Sequence, residues 1–352
     1  MKLGIIGLPQ SGKTTLFNAL TRANTPTTAS AGRIEIHQAV VDVPDPRVDK
    51  LSAMFKPRKT IYAKVNYADI AGLESGAAKS GISGQLLNQL AQMDGFIHVV
   101  RAFTDENVPH PSGSVNPQRD VDAMESELLL NDLVAVERKL ERLTDERRKG
   151  GTDKVLNARQ TSLFERLHGS LSDNKPLRNM EFDAEESKEL ASFGLLSRKP
   201  VLISYNTGEG ESAPAPAGGF PSVTLQGKLE MEIAQLSAED AAVFMQEYGI
   251  EEPSLNRMIR LSYDLLQQQS FFTVGEDEVR AWTVQRGASA QEAAGAIHTD
   301  LQKGFIRAEV VAYDDLVSLG SMNEAKTKGK LRLEGKEYPV KDGDIVHIRF
   351  NV

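Results

Sequence analysis

Apolar positions fall in two textures along the first two hundred residues: short unbroken runs, and longer stretches spaced as a helix spaces them. Leu3 to Ile6 is a run that stops at Gly7, and Lys13 to Thr21 follows with Leu16, Phe17, Ala19 and Leu20 at helical spacing. Tyr62 to Tyr67, Phe96 to Val100 and Lys199 to Asn206 are further runs, each short enough for a buried strand. Strands alternating with helices predict an α/β fold around a mostly parallel sheet. Residues 24–32 and 208–219 keep no period and are rich in turn-forming residues, so both read as loops.

A different texture begins near residue 118. Leu129, Leu133, Val136, Leu140 and Leu143 recur at alternating intervals of four and three with charges between them, the seam of a coiled coil. Gly150-Gly151 breaks it, and Val155, Leu156, Leu163, Leu167 and Leu171 follow on a second helix, predicting an antiparallel helical hairpin. Its tip is basic: Arg138 to Arg159 holds eight Lys and Arg against four Asp and Glu, a local charge of +4. Leu229 to Met245 and Leu255 to Gln269 read as helices. From Phe271, short strands at 279–284, 305–311 and 345–350 surround one Ala-rich helix at 290–299, the pattern of a small α+β domain. The expected division is 1–117 with 196–270 as one discontinuous domain, 118–195 as a helical insert, and 271–352 as a C-terminal domain.

Composition narrows the class. The 352 residues are 40% hydrophobic and 26% charged, enough to build cores without covalent staples. There is no cysteine, which excludes disulfides, thiolate zinc sites and cysteine nucleophiles and makes a reducing cytoplasm the expected location. No apolar stretch reaches the roughly 18 residues of a membrane span, so no membrane partner is expected. The apolar start, Met1 to Gly7, lacks a cleavage site and is not expected to be a signal peptide. A net charge of −8 disfavours a protein that coats nucleic acid, but it permits a focused patch such as the hairpin tip. A monomer is expected.

The strongest chemical signal is Gly7-Leu8-Pro9-Gln10-Ser11-Gly12-Lys13-Thr14, which matches G-x-x-x-x-G-K-[ST] between an apolar run and a helix. Glycines let backbone N–H groups curl round phosphates, and the helix N-terminus adds positive potential. Lys13 then reaches the β- and γ-phosphates, and the Thr14 hydroxyl ligates Mg²⁺. Gln10, Ser11, Gly12, Lys13, Thr14 and Thr15 are the candidate nucleotide-binding residues here. Asp69-Ile70-Ala71-Gly72 closes the strand of Val65 and Tyr67. Asp69 can hold Mg²⁺ through water, and Gly72 can offer its N–H to the γ-phosphate. Leu73 follows where Ras and Gα place a water-orienting Gln, so another group must orient the water. After the Ile203 strand, Asn206-Thr207-Gly208-Glu209 departs from the N-K-x-D of guanine readers, with Lys absent and Glu in place of Asp. Asn206, Thr207 and Glu209, with Gln226 and Gly227 downstream, are the candidate base-binding residues. Their departures predict a site that favours ATP or is indifferent between ATP and GTP.

With these residues in place, the chain resembles the YchF-type, Obg-like ATPase subfamily of P-loop GTPases over nearly its whole length. Gly7 to Leu20 is similar to the family's P-loop, Asp69 to Leu73 to its switch II, and Asn206 to Glu209 to its N-x-x-E variant. Glu278 to Thr283, Ala294 to Asp300, Lys303 to Ile306 and Asp342 to Ile345 resemble its C-terminal TGS domain. The resemblance implies a P-loop NTPase G domain with a mostly parallel sheet, a helical hairpin insert and a C-terminal β-grasp (TGS) domain. It also implies ATP hydrolysis alongside or above GTP hydrolysis, and association with the ribosome and its RNA. His110, in Val108-Pro109-His110-Pro111, aligns with the family's proposed catalytic His and joins Lys13 and Gly72 as catalytic candidates. Thr14 and Asp69 are the expected Mg²⁺ ligands. Gln10 stands where the family usually carries Asn, a position linked to activation by K⁺. Arg33 stands at the family's switch I Thr, itself a Mg²⁺ ligand.

Two functions follow from these residues. One is a slowly hydrolysing, Mg²⁺-dependent switch that relays nucleotide state to the hairpin and TGS domain. The other is a nucleotide-gated ribosome- or RNA-binding module with little hydrolysis, because Leu73 and Arg33 remove two usual catalytic groups. A P-loop kinase is disfavoured by the D-x-x-G, the Asn206 loop and the TGS-like segment.

Overall fold

The run Leu3–Ile6 is wholly buried in β1 (Lys2–Ile6), and a sheet assembles on both sides of it. The computed structural model describes residues 1–23, 36–70, 84–150, 153–248 and 250–351. Two units result, residues 1–39 with 66–258, and residues 40–65 with 259–352. The second unit thus takes in residues 40–65, which lie within the 1–117 segment of the sequence-based division.

The sheet around β1 runs in the order β2 (Ile36–Asp42), β4 (Lys64–Ile70), β1, β5 (Gly95–Ala102), β6 (Val201–Thr207), β7 (Ser222–Leu225). Every pair from β4 to β7 is parallel, as expected for strands alternating with helices. β1, β5 and β6 are buried on both faces and read as continuous apolar runs, which is why they were legible, whereas β7 is half exposed and gave no such run. Ile6, Ile70, Phe96, Val100, Ile203 and Tyr205 share one core cluster with Leu86 and Leu90 of α3 (Gly84–Ala91).

One long helix leaves that core. α4 (Pro117–Lys149) begins at the Asn116 side chain, which accepts from Arg119 N–H, and has Pro117 in its first turn. Its 33 residues span about 50 Å. Val121, Met124 and Leu128 pack in the sheet core, whereas Leu129, Val136 and Leu143 meet Leu163, Phe164 and Leu167 of α5 (Lys154–Ser172). Where the two clusters meet, the buried Asp132 carboxylate accepts from Leu196 N–H (2.8 Å), Ser197 N–H (2.7 Å) and the Ser197 hydroxyl (2.6 Å). That contact ties α4 to the chain entering β6.

Gly150, at φ 70°, ends α4 as expected. The seam is shorter than predicted: Val155 is 79% exposed and Leu156 46%. Its last rung is Leu143 beside Asn157, whose amide donates to the Leu143 carbonyl at 3.1 Å, and beyond it α4 carries only polar and charged residues, Thr144 to Lys149, so Val155 and Leu156 meet no apolar partner there. The expected helix from Leu229 to Met245 is two helices, α7 (Gly227–Gln235) and α8 (Ala238–Glu247). Ser237 starts the second by accepting from Asp240 N–H. α9 (Ser254–Leu265) stops short of Gln269, because residues from Gln268 onward pair as a strand.

In the second unit the sheet order is β11 (Arg332–Glu334), β10 (Phe305–Ala312), β12 (Asp344–Phe350), β8 (Gln268–Val274), β9 (Glu278–Gln285), β3 (Lys59–Ile61). α10 (Ala290–Ile297) lays Ala290, Ala293 and Ala294 against Phe271, Val310 and Val346. β3 and α2 (Pro46–Phe55) come from the 40–65 segment, and hydropathy does not announce either. The local signal for α2 is Asp45-Pro46, where the Asp45 carboxylate accepts from Arg47 N–H. No helix among the described residues is long and apolar enough to cross a membrane.

Candidate functional site

Between β1 and α1 (Lys13–Thr21) the chain curls back on itself, and its glycines are required by what they touch. Gly7 has φ 152°, and a Cβ there would collide with the Val99 carbonyl of β5. Gly12 has φ 97°, and a Cβ there would strike the Asn206 amide. Gln10 is also left-handed, at φ 61°, a conformation that costs a long side chain about 1–2 kcal/mol and that Asn adopts more readily.

Lys13 sits inside this loop. Its ammonium donates to the Gly7 carbonyl (3.0 Å) and the Leu8 carbonyl (2.9 Å). Burial lowers its pKa from 10.5 to about 8, partly offset by the Asp69 charge. Backbone carbonyls are weak partners for a partly desolvated cation, so an anion entering the loop would meet a lysine whose charge is only partly offset, by Asp69. Thr14 and Asp69 meet as expected, the Thr14 hydroxyl donating to Asp69 Oδ2 at 2.9 Å. Asp69 is buried at the end of β4, and desolvation raises its pKa, while the Thr14 bond and Lys13 act the other way. Its Oδ1 has no hydrogen-bond partner among the described residues. Two hard oxygen donors side by side, one of them orphaned, fit a Mg²⁺ ion. The Ser11 hydroxyl is likewise buried without a partner there, and Thr15 is half-buried in the first turn of α1.

The loop after β6 closes on the P-loop through Asn206. Its amide N–H donates to the Ser11 carbonyl (3.0 Å), and its amide oxygen accepts from Gly227 N–H (2.9 Å). Asn206 therefore joins three candidate segments: the P-loop, its own loop, and the Gln226–Gly227 start of α7. Thr207 is buried, with its hydroxyl donating to the Leu225 carbonyl at 3.4 Å. Glu209 is exposed and has no hydrogen bond among the described residues.

His110 follows β5 in the loop leading to α4. Its ring is held from both sides: Nε2 lies 2.8 Å from Asp120 Oδ2, and Nδ1 accepts from Ser112 N–H at 3.1 Å. The side chain is 4% exposed, and Arg119 completes the cluster by donating to Asp120 Oδ1 at 2.8 Å. In this conformation neither ring nitrogen is presented to water. Gly72, Leu73 and Arg33 lie outside the described residues.

Four groups beside the site escape sequence reading. His98 on β5 is fully buried, and desolvation, then the Lys13 charge, pushes its pKa down to about 3. Arg101 is buried too, and its guanidinium holds the Phe103 carbonyl (3.1 Å) and the Val108 carbonyl (2.7 Å). Asp120 and Glu211 complete the set. Only Asp120 has a sequence cue, an acid in the first turn after the Asn116-Pro117 cap.

Comparison with known proteins identifies the family. A family model described as a 50S ribosome-binding GTPase matches residues 2–139, and the C-terminal YchF-GTPase model matches residues 268–351. The chain is 40% identical to the ribosome-binding ATPase YchF of Bacillus subtilis, across 99% of each chain. Its identity to the protein of the same name from Haemophilus influenzae is 42%, over 100% of this chain and 99% of the relative. The rat Obg-like ATPase 1 is 36% identical over 100% of this chain and 92% of its own length. Among solved structures, the YchF GTPase of Schizosaccharomyces pombe superposes with a TM-score of 0.85 at 31% identity, covering 99% of this chain and 97% of that one. A P-loop seated on a parallel sheet, a helical hairpin and a C-terminal YchF domain, matched end to end by these relatives, place the chain in the YchF family of P-loop GTPases.

Proposed function

We propose that this protein is a Mg²⁺-dependent P-loop nucleoside triphosphatase that binds and slowly hydrolyses ATP, with GTP accepted at most equally, and acts as a nucleotide switch on the ribosome. The observation that carries the reading is the P-loop itself. It holds a half-buried Lys13 whose hydrogen-bond partners among the described residues are backbone carbonyls and, beside it, the Thr14–Asp69 pair with a carboxylate oxygen that has no partner among those residues.

In this reading Gln10 to Thr15 wrap the phosphates, and Lys13 supplies their countercharge. Thr14 and Asp69 would hold Mg²⁺, which when bound neutralises charge shared by the β- and γ-phosphates. Asn206 keeps the base-side loop in register with the P-loop, leaving Thr207, Glu209 and Gln226–Gly227 around the purine. Thr207 and Glu209 do not supply the Lys and Asp that reject adenine, which supports ATP. K⁺ is the proposed activator, acting at the Gln10 position. Gly72 N–H is the proposed γ-phosphate contact. His110 is the proposed group to orient or deprotonate water, and that role requires it to leave Asp120.

Ribosome association draws support from the names of the relatives and from the hairpin tip, where Arg147, Arg148 and Lys149 are all exposed. The module with little hydrolysis stays as the second reading, favoured by the closed His110–Asp120 pair. Phosphate release from ATP and GTP in Mg²⁺, with and without K⁺ and ribosomes, tests the two. Turnover that Lys13→Ala abolishes supports the switch. Nucleotide binding without turnover under all these conditions supports the module.

A further inference from the structure

Two loops leave the C-terminal ends of β5 and β6, and the sheet does not hold them together. The parallel register sets Arg101 beside Asn206 and Ala102 beside Thr207, and ladder pairing ends there. Beyond it, among the described residues, the hydrogen bonds between the two loops run through the Glu211 side chain. Glu211 Oε1 accepts from Thr104 N–H (2.9 Å) and from the Thr104 hydroxyl, while Oε2 accepts from Gly208 N–H (2.8 Å). Glu211 N–H returns a bond to the Gly208 carbonyl at 3.3 Å, closing a tight turn around the carboxylate.

The other side of the Thr104 loop is fixed from below. Arg101 grips the Phe103 and Val108 carbonyls and lies over the Phe103 ring at 4.3 Å. A Cβ at Gly208 would stand 2.6 Å from Glu211 Oε2 and 3.5 Å from Phe103 Cβ, so a side chain at 208 would press on the carboxylate and on the β5 loop. The hydrogen bonds from Thr104 and Gly208 also lower the Glu211 pKa, so the group is a carboxylate at neutral pH. Three donors on one ionised acid make a strong local clamp.

We propose that Glu211 is a positioning residue for the base end of the nucleotide site, its carboxylate clamping the β5 and β6 loops into one edge on which purine binding depends. This deepens the proposed function and rests on its reading that the base lies at the Asn206 loop. Glu211 touches none of the P-loop residues that would hold phosphates. Its loss therefore weakens what the purine contributes and leaves the phosphate contribution alone. Glu209, two residues earlier, makes no such contacts.

The test compares ATP with inorganic tripolyphosphate, which has the phosphates and no base, by calorimetric titration in Mg²⁺. The parent, Glu211→Ala, Glu211→Gln and Thr104→Val are measured, with thermal midpoints to show that each is folded. ATP affinity should fall about tenfold in Glu211→Ala, the loss of about 1.4 kcal/mol of binding free energy. It should fall about threefold in Glu211→Gln, which keeps one acceptor, and similarly in Thr104→Val, which keeps the backbone bond. Tripolyphosphate affinity should stay within about twofold in all four. Unchanged ATP affinity in Glu211→Ala, or equal loss for both ligands, overturns the proposal. A parent that binds tripolyphosphate as tightly as ATP instead overturns the placement of the base, and the proposal with it.

Discussion

Asn206 is where the geometry makes the sharpest demand. Its amide donates to the Ser11 carbonyl at 3.0 Å and accepts from Gly227 N–H at 2.9 Å, and all three groups are buried. Asn206→Ala removes both bonds and leaves a donor and an acceptor without partners. Each orphaned buried group costs about 1–3 kcal/mol, and local relaxation recovers part of it, so the expected loss is about 2–4 kcal/mol of stability. Asn206→Asp is the discriminating variant. It keeps the acceptor for Gly227 but sets a carboxylate oxygen about 3 Å from the Ser11 carbonyl, acceptor against acceptor. It also adds a negative charge beside the phosphate loop. Its stability should match Asn206→Ala rather than the parent, and its tripolyphosphate affinity should fall below that of the Ala variant. Denaturant melts followed by titration with ATP and tripolyphosphate read both effects. Parent-like stability and binding in Asn206→Asp would refute the bridging role.

The folded chain holds His98 at a pKa of about 3 against 6.5 in the open chain, so below pH 6.5 the unfolded state takes up a proton that the folded state does not. Stability should therefore be intact above pH 6.5 and decline as pH falls toward 3, and His98→Gln should flatten that decline in denaturant melts; an unaltered slope rejects the assignment. Asp132→Ala should cost about 2–4 kcal/mol by stranding the Leu196 and Ser197 donors, read by denaturant midpoint, with a loss under 1 kcal/mol ruling out the tie between α4 and β6. Replacing Arg147, Arg148 and Lys149 with Ser should weaken ribosome pelleting and lower its salt slope by nearly one per lost phosphate contact, leaving ATP binding intact. Identical salt curves for mutant and parent would move docking to the C-terminal domain.

How much of this was legible depends on how local the physics is. β1, β5 and β6 are buried on both faces, so their apolar runs could mean little else. The P-loop was legible because its glycines and Lys13 act through backbone shape within eight residues. The hairpin seam was legible as far as Leu143, and Val155 and Leu156 misled because their own spacing does not show that the facing end of α4, Thr144 to Lys149, is entirely polar. β3 and α2 were hidden because β3 is three residues long and α2 buries only Val48 and Leu51. Glu211 was illegible for a different reason. An acid in a Gly-rich loop looks solvated until the fold brings Thr104, over a hundred residues away in the chain, within 2.9 Å. The Asp120 partner of His110 was hidden in the same way, across the turn that starts α4.

Lys13 is a half-buried phosphate-binding cation, and ATP affinity measured as a function of pH reads its charge. Burial lowers the Lys13 pKa to about 8, so without ligand the ammonium loses its proton as pH rises through that value. Binding an anion needs the charged form, and parent affinity in Mg²⁺ should be steady below pH 8 and fall above it. Lys13→Ala should lose at least about tenfold in affinity at neutral pH, within the roughly 1.5–3 kcal/mol of a charge-assisted contact. It should also lose the decline above pH 8. Equal affinity in parent and Lys13→Ala would contradict the account at its root, because the P-loop would then not be where the nucleotide binds.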